Sequence, residues 1–285
     1  MFAFLPQIVG LTFGLTFRRK ASRNLNLLIR GQTAAMILPL SLIGGMLFQL
    51  KPVNVISMAL LVVAVVAGVM IGRTWLVRGG GRIGIASAAT APNSGMWNMP
   101  IASVFLGPAA VAYIAVYAMV SQPANLLVTR VLRKNAPVRQ ERKTAIVDYA
   151  APVALIAGIA LQFAFGRPTG LGHLFVEISL LNAAANIALF GLAVPLERPS
   201  LREDGHVLPA AILLRFVPPV ALLALMLPLG LHPPAAAWLI AFAPTFFRQL
   251  PQAALYGFSR RQSLLVVLAT IACSLAATPF IITLV

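Results

Sequence analysis

Apolar runs long enough to cross a lipid bilayer recur along the whole chain, separated by short basic clusters, and no other feature restricts its fold as much. A helix needs about 20 residues to traverse the ~30 Å hydrocarbon layer. Inside that layer every backbone N–H and C=O must find a partner within the protein. Windows of suitable length fall near residues 2–17, 31–50, 53–72, 83–106, 109–129, 148–165, 173–194, 207–229, 234–257 and 262–284. They predict an all-α polytopic membrane protein with ten transmembrane helices.

The charge pattern tests that count. Cytoplasmic loops are enriched in Lys and Arg, and eighteen of the 22 basic residues fall in alternate connections: Arg18 to Arg30, Arg73 to Arg82, Arg130 to Lys143, Arg198 with Arg202, and Arg260 with Arg261. The opposite side holds only Lys51 and Arg167. An extra or missing span would scramble this alternation. It places both termini outside and suits a bacterial cytoplasmic membrane. Only 10% of residues are charged, against roughly 25% in a soluble domain. The formal charge of +16 is loop charge rather than the single basic face of a nucleic-acid binder, so the partner is the lipid bilayer and no nucleic acid is expected. The first apolar run precedes its basic cluster, the reverse of a secretory signal, and reads as a first transmembrane helix. A lone cysteine, Cys273, excludes an intrachain disulfide and a cysteine metal cluster. Neither metal nor cofactor is expected.

The longest basic connection, RVLRKNAPVRQERK, divides the chain into residues 1–129, a loop at 130–147, and residues 148–285. Each half carries five spans. Five is odd, so the second half enters the membrane from the opposite side, and any internal likeness implies an inverted repeat. Such a likeness exists. Span four contains ATAPNSGMWNMPIA and span nine AFAPTFFRQLPQA, both reading A-x-A-P and, further on, P-x-A.

Proline inside a helix removes a hydrogen bond and costs about 3 kcal/mol. Pro92 and Pro100 in one span, with Pro244 and Pro251 in the other, therefore predict unwound crossings. Where two interrupted helices meet at mid-depth, free N–H groups and carbonyls point into one cavity. Asn93, Ser94 and Asn98 from the first break, and Thr245, Arg248, Gln249 and Gln252 from the second, are the candidate lining. An arginine near the bilayer centre costs about 2.5–3.5 kcal/mol on insertion scales, and the chain has only six acids, none near Arg248 in depth. An anionic substrate is the expected partner of Arg248.

Other polar residues within spans remain open. Arg215 lines the inner vestibule or snorkels toward the loop. Asn182 and Asn186 share one helix face and either bond across helices or reach the substrate. Gln122 and Asn125 flank Pro123, either completing the site or steadying a kink.

The stretch PNSGMWNMPIASVFLG resembles the fourth-span signature of the auxin efflux carrier family, and APTFFRQLPQAALYGF through TIACSLAATPF resembles its ninth and tenth spans. That resemblance implies a bile-acid-carrier-like inverted-repeat fold, with helices four and nine broken and crossing at the midplane. It also implies a mobile transport domain of spans three to five and eight to ten, and a scaffold of spans one, two, six and seven that forms a homodimer. Asn93 takes the place of the family's substrate-contacting asparagine. Asn98 departs from the pattern, standing where a glycine precedes the second proline, and Arg248 is an addition, so auxin itself is not implied. The expected function is a secondary transporter for a small organic anion, a carboxylate, driven by alternating access. Membrane-enzyme motifs are absent from the sequence. A sodium- or proton-coupled symporter and a non-transporting receptor using the same pocket are the alternatives.

Overall fold

A computed structural model describes residues 5–21, 25–76, 92–133, 145–168, 170–195, 199–245, 247, 250 and 259–284. Among these residues the fold is all-helical. The elements are α1 (Leu5–Ala21), α2 (Leu25–Gln32), a π-helical stretch Thr33–Ile37 leading into α3 (Leu38–Leu47), and α4 (Pro52–Leu76). A second π-helical stretch, Ser94–Asn98, opens α5 (Met99–Phe105) and is followed by α6 (Pro108–Arg133). The second half contributes α7 (Ala145–Phe165), α8 (Leu171–Ala193), the short α9 (Leu201–Asp204), α10 (Leu208–Ala224), α11 (Ala235–Ala241) and α12 (Arg260–Leu284).

Four segments, Pro52–Ile71, Leu171–Ala193, Leu208–Leu229 and Arg260–Pro279, are long and apolar enough to cross a membrane. They start and end close to the predicted third, seventh, eighth and tenth windows. Shorter apolar helices, Gln7–Phe17, Thr33–Leu47, Pro108–Ser121 and Ala150–Phe165, lie in the first, second, fifth and sixth windows. Large apolar side chains stand outward, among them Ile8, Ile156, Phe163 and Leu275. Water would penalise such a surface and lipid would not, so the chain is compatible with an integral membrane protein. The fourth and ninth windows behave differently: their described parts contain non-helical backbone at residues 92–93 and 243–245.

Helix pairing follows small residues. α1 packs along α8 and α3 along α7. A Cβ added to Gly10 would collide with the carbonyl oxygen of Ala184, and one added to Gly14 with that of Ala188. Gly45 and Gly158 bear the same relation to Leu155 and Leu42. Lipid tails are as apolar as leucine, so helices in a bilayer associate through close van der Waals approach, which glycine permits. A second group forms where α10 packs on α4, α4 on α6, and α12 on α10. The Ser57 and Tyr113 hydroxyls share a 2.7 Å hydrogen bond that ties α4 to α6. The carbonyl of Phe48, freed where α3 ends, accepts from Gln162 Nε2 at 2.8 Å, so α7 caps the helix that it packs against.

Candidate functional site

The two proline-marked segments touch. Pro244 has no N–H and disfavours helical geometry at Ala243. α11 accordingly stops at Ala241, with Phe242 N–H bonded to Trp238 O at 3.0 Å and Ala243 N–H to Ile240 O at 3.2 Å. In the other half, Pro92 and Asn93 are non-helical and regular turns begin only at Ser94. Asn93 N–H donates to Pro244 O at 2.7 Å, and Pro92 pairs with Thr245 in an isolated antiparallel bridge. A carbonyl just past the end of α11 and an N–H just before the π-helical stretch thus satisfy each other across the halves.

Pro100 departs from the expectation of a mid-helix break. It is the second residue of α5, which continues without a gap from the π-helical residues, so the widened turn lies where the missing N–H cannot bond back. Within residues 92–105 the non-helical backbone is confined to Pro92 and Asn93.

Polar groups are concentrated around the contact. Asn93, Asn98 and Thr245 are 0% exposed and Ser94 is 4% exposed. Neither the amide nitrogen nor the amide oxygen of Asn98 has a partner among the described residues, and the same holds for Thr245 Oγ1. Buried polar atoms are nearly always hydrogen-bonded, which makes these three atoms the candidate contacts of a polar guest. Arg248, Gln249, Pro251 and Gln252 lie outside the described residues.

Thr270 of α12 completes the second break and was not anticipated from sequence. Its Oγ1 accepts the Thr245 N–H at 3.0 Å and donates to Val266 O at 2.9 Å. Replacing Thr270 with Val keeps the shape but leaves the Thr245 N–H buried and unpaired, at a cost of about 1–3 kcal/mol. Thermal unfolding in detergent should show a lower midpoint for Thr270→Val, with Thr278→Val, nearer the helix end, as the milder control.

Arg215 is 2% exposed, which removes the snorkelling alternative. α10 packs against both α4 and α11, so the side chain points inward, and its Nη2 donates to Ile240 O at 2.8 Å. That carbonyl belongs to the last turn of α11, at the negative end of the helix dipole, and accepts from the Arg215 guanidinium in addition to the Ala243 N–H. The guanidinium carbon is 5.5 Å from the Phe216 ring centroid. Arg215 Nε is buried with no partner among the described residues. Arg215, Tyr117, Pro92, Leu61 and Ile240 line a small cavity of about 10 Å³, room for about one water, directly beside the Pro92–Thr245 bridge.

The asparagines of α8 divide between two roles. Asn182 Oδ1 accepts from Gln32 Nε2 at 2.9 Å, an interhelical bond to the turn before the first π stretch. Asn186 Nδ2 donates to Asn182 O at 2.9 Å within its own helix. Gln122 and Asn125 lie on α6, with their side chains outside the described set. Comparison of the chain with protein-family models and with curated proteins finds no match in either.

Proposed function

We propose that the chain is a secondary carrier for a small organic anion, built as an inverted repeat and working by alternating access. The observation that carries this reading is the hydrogen-bonded meeting of Asn93 with Pro244, one from each half, with the Asn98 amide and Thr245 hydroxyl buried and without partners among the described residues. A structural role alone would not strand the Asn98 amide and the Thr245 hydroxyl in an apolar interior, because each costs about 1–3 kcal/mol when unpaired. A guest that accepts and donates hydrogen bonds removes that cost when it binds.

The packing pattern supports the two-fold relation. Exchanging the halves converts the pairing of span one with span seven into that of span six with span two. Both pairs are present, as α1 on α8 and α7 on α3, and both rely on glycine contacts. The pairing of α4 with α10 maps onto itself. Spans one, two, six and seven, which include the tightly packed pairs, form the scaffold in this reading, and a homodimer would assemble through it. The remaining spans, gathered around the cavity, form the moving part. This reading matches the layout that the resemblance to the auxin efflux carrier family implies.

Export of a monovalent anion requires no coupling ion. A membrane potential negative inside supplies about 2.3 kcal/mol per charge per 100 mV. Purified protein in proteoliposomes should exchange labelled carboxylate against internal unlabelled carboxylate, and an imposed potential should set the direction of net flux. Saturable binding without counterflow would identify a receptor. Flux that ignores voltage and follows a pH or sodium gradient would identify a symporter.

A further inference from the structure

We infer that one internal water sits between Arg215 and Tyr117, and that Arg215, acting through this water and the carbonyl of Ile240, is a positioning residue for the crossing of the two halves. This goes beyond the carrier reading and holds whether or not the chain transports. Arg215 and Tyr117 are 2% and 0% exposed. Nη2 of Arg215 donates to Ile240 O at 2.8 Å, whereas its Nε and the Tyr117 hydroxyl are buried without partners among the described residues. Both residues line the space of about 10 Å³ beside Pro92, and among its described lining only they carry polar side chains. That volume admits about one water and no organic ligand, and a buried water needs two to four polar partners.

A water here completes the hydrogen bonding. Arg215 Nε–H donates to the water oxygen, and the water donates to Tyr117 Oη. A tyrosine oxygen accepts as well as donates, so a hydroxyl proton turned toward the nearby Ser121 leaves this bond intact. Burying a guanidinium at membrane depth is costly, and one bond to Ile240 O offsets only part of that cost. A bridging water is nearly as good as a direct hydrogen bond, and it serves the donor that the carbonyl leaves over. The space is walled by α4, α6, α10 and α11 together with Pro92. Ile240 lies four residues before Pro244, whose carbonyl accepts the Asn93 N–H at 2.7 Å, and Pro92 itself pairs with Thr245. Arg215 thereby fixes one side of the crossing from α10, and the water ties that arginine to α6.

The test has two parts, both on the full chain in detergent. Radiolytic hydroxyl labelling, read by mass spectrometry, modifies a buried side chain where a bound water generates the radical. Tyr117 should be oxidised about fivefold faster than Tyr113, or more, because a water held against its hydroxyl supplies the radical in place. Tyr113 is the control because it is also buried and its hydroxyl already shares a 2.7 Å bond with Ser57. Arg215→Met, of similar length but without donors, should lower Tyr117 to the Tyr113 rate. Equal labelling of the two tyrosines in the wild type, or Tyr117 labelling that Arg215→Met leaves unchanged, would overturn the water. The second part reads the crossing. In a Cys273→Ser background, the thiols of Pro92→Cys and Thr245→Cys should oxidise about tenfold more slowly once Arg215→Met is added, since the charge-assisted bond that holds Ile240 O is gone. An unchanged or faster rate would overturn the positioning role. If Arg215→Met fails to fold, judged by its melting profile, Arg215→Lys takes its place. It keeps a charge for Ile240 O but has no donor at the Nε position, so Tyr117 labelling should fall while the thiols oxidise at close to the starting rate. Labelling that does not fall would overturn the water, and slowed oxidation would overturn the role given to the Ile240 bond. Neither part needs transport, so a lack of carboxylate counterflow would defeat the carrier reading alone.

Discussion

Asn93→Asp is expected to reduce carboxylate counterflow about 100-fold or more, a loss of about 2.7 kcal/mol at 1.36 kcal/mol per tenfold step. The substitution is isosteric, so the non-helical turn can be retained: the backbone N–H of residue 93 still faces Pro244 O. Only the chemistry of the side chain changes. An amide that can donate to an anion becomes a carboxylate that repels it, in a position that is 0% exposed, where like charges cost several kcal/mol. Asn93→Ser, which retains a donor on a shorter arm, should lose far less. Initial rates of counterflow and melting midpoints measured on the same preparations separate loss of binding from loss of folding. Full activity in Asn93→Asp would remove Asn93 from the site.

Gly14→Leu is expected to destabilise the fold by about 3 kcal/mol or more, at or beyond the upper end of usual overpacking costs. A Cβ at Gly14 meets the carbonyl oxygen of Ala188 and lies 3.0 Å from the Gly191 Cα. These are backbone atoms of α8, which cannot swing aside as a side-chain end can. The helices must separate, and the close contacts that hold them in lipid are lost along the whole pair. Gly31 is the control, because a Cβ there meets nothing within 4 Å. Melting in detergent should show a large fall for Gly14→Leu and little change for Gly31→Leu. Equal effects would mean that α1 and α8 do not associate through this face.

Helix placement was legible because hydrophobic length and loop charge act locally. α4, α8 and α12 begin within two residues of their predicted windows, as Pro52, Leu171 and Arg260 show. Pro92 and Pro244 were legible as points of non-helical backbone because proline acts on its own backbone. At Pro100 the backbone stays helical, with a π-helical turn just before it: sequence shows that a proline is present, but not whether the helix breaks there or widens by one residue. The partners of the site were not legible. Arg215 meets Ile240, and Thr270 meets Thr245, each across 25 residues, and Gln32 meets Asn182 across 150. Such pairs are set by helix packing, which no periodicity in the chain encodes. Arg215 illustrates the limit. Its distance from the loop permitted either snorkelling or burial, and only the packing of α10 on α4 and α11 decides for burial. Thr270 and Ser274, small polar residues four apart in an apolar span, were a signal that could have been read.

The central claim is that the interrupted segments of the two halves meet and that transport depends on their relative position. A disulfide tests it most directly. Residues paired across an antiparallel bridge lie about 4.5–5.5 Å apart at Cα, within the 4.4–6.8 Å that a disulfide spans. In a Cys273→Ser background, Pro92→Cys with Thr245→Cys should oxidise readily. The two halves should then remain linked after trypsin cuts the basic loop at 130–147, counterflow should stop, and reduction should restore it. Halves that separate under oxidising conditions, or counterflow that continues with the bond formed, would contradict the account.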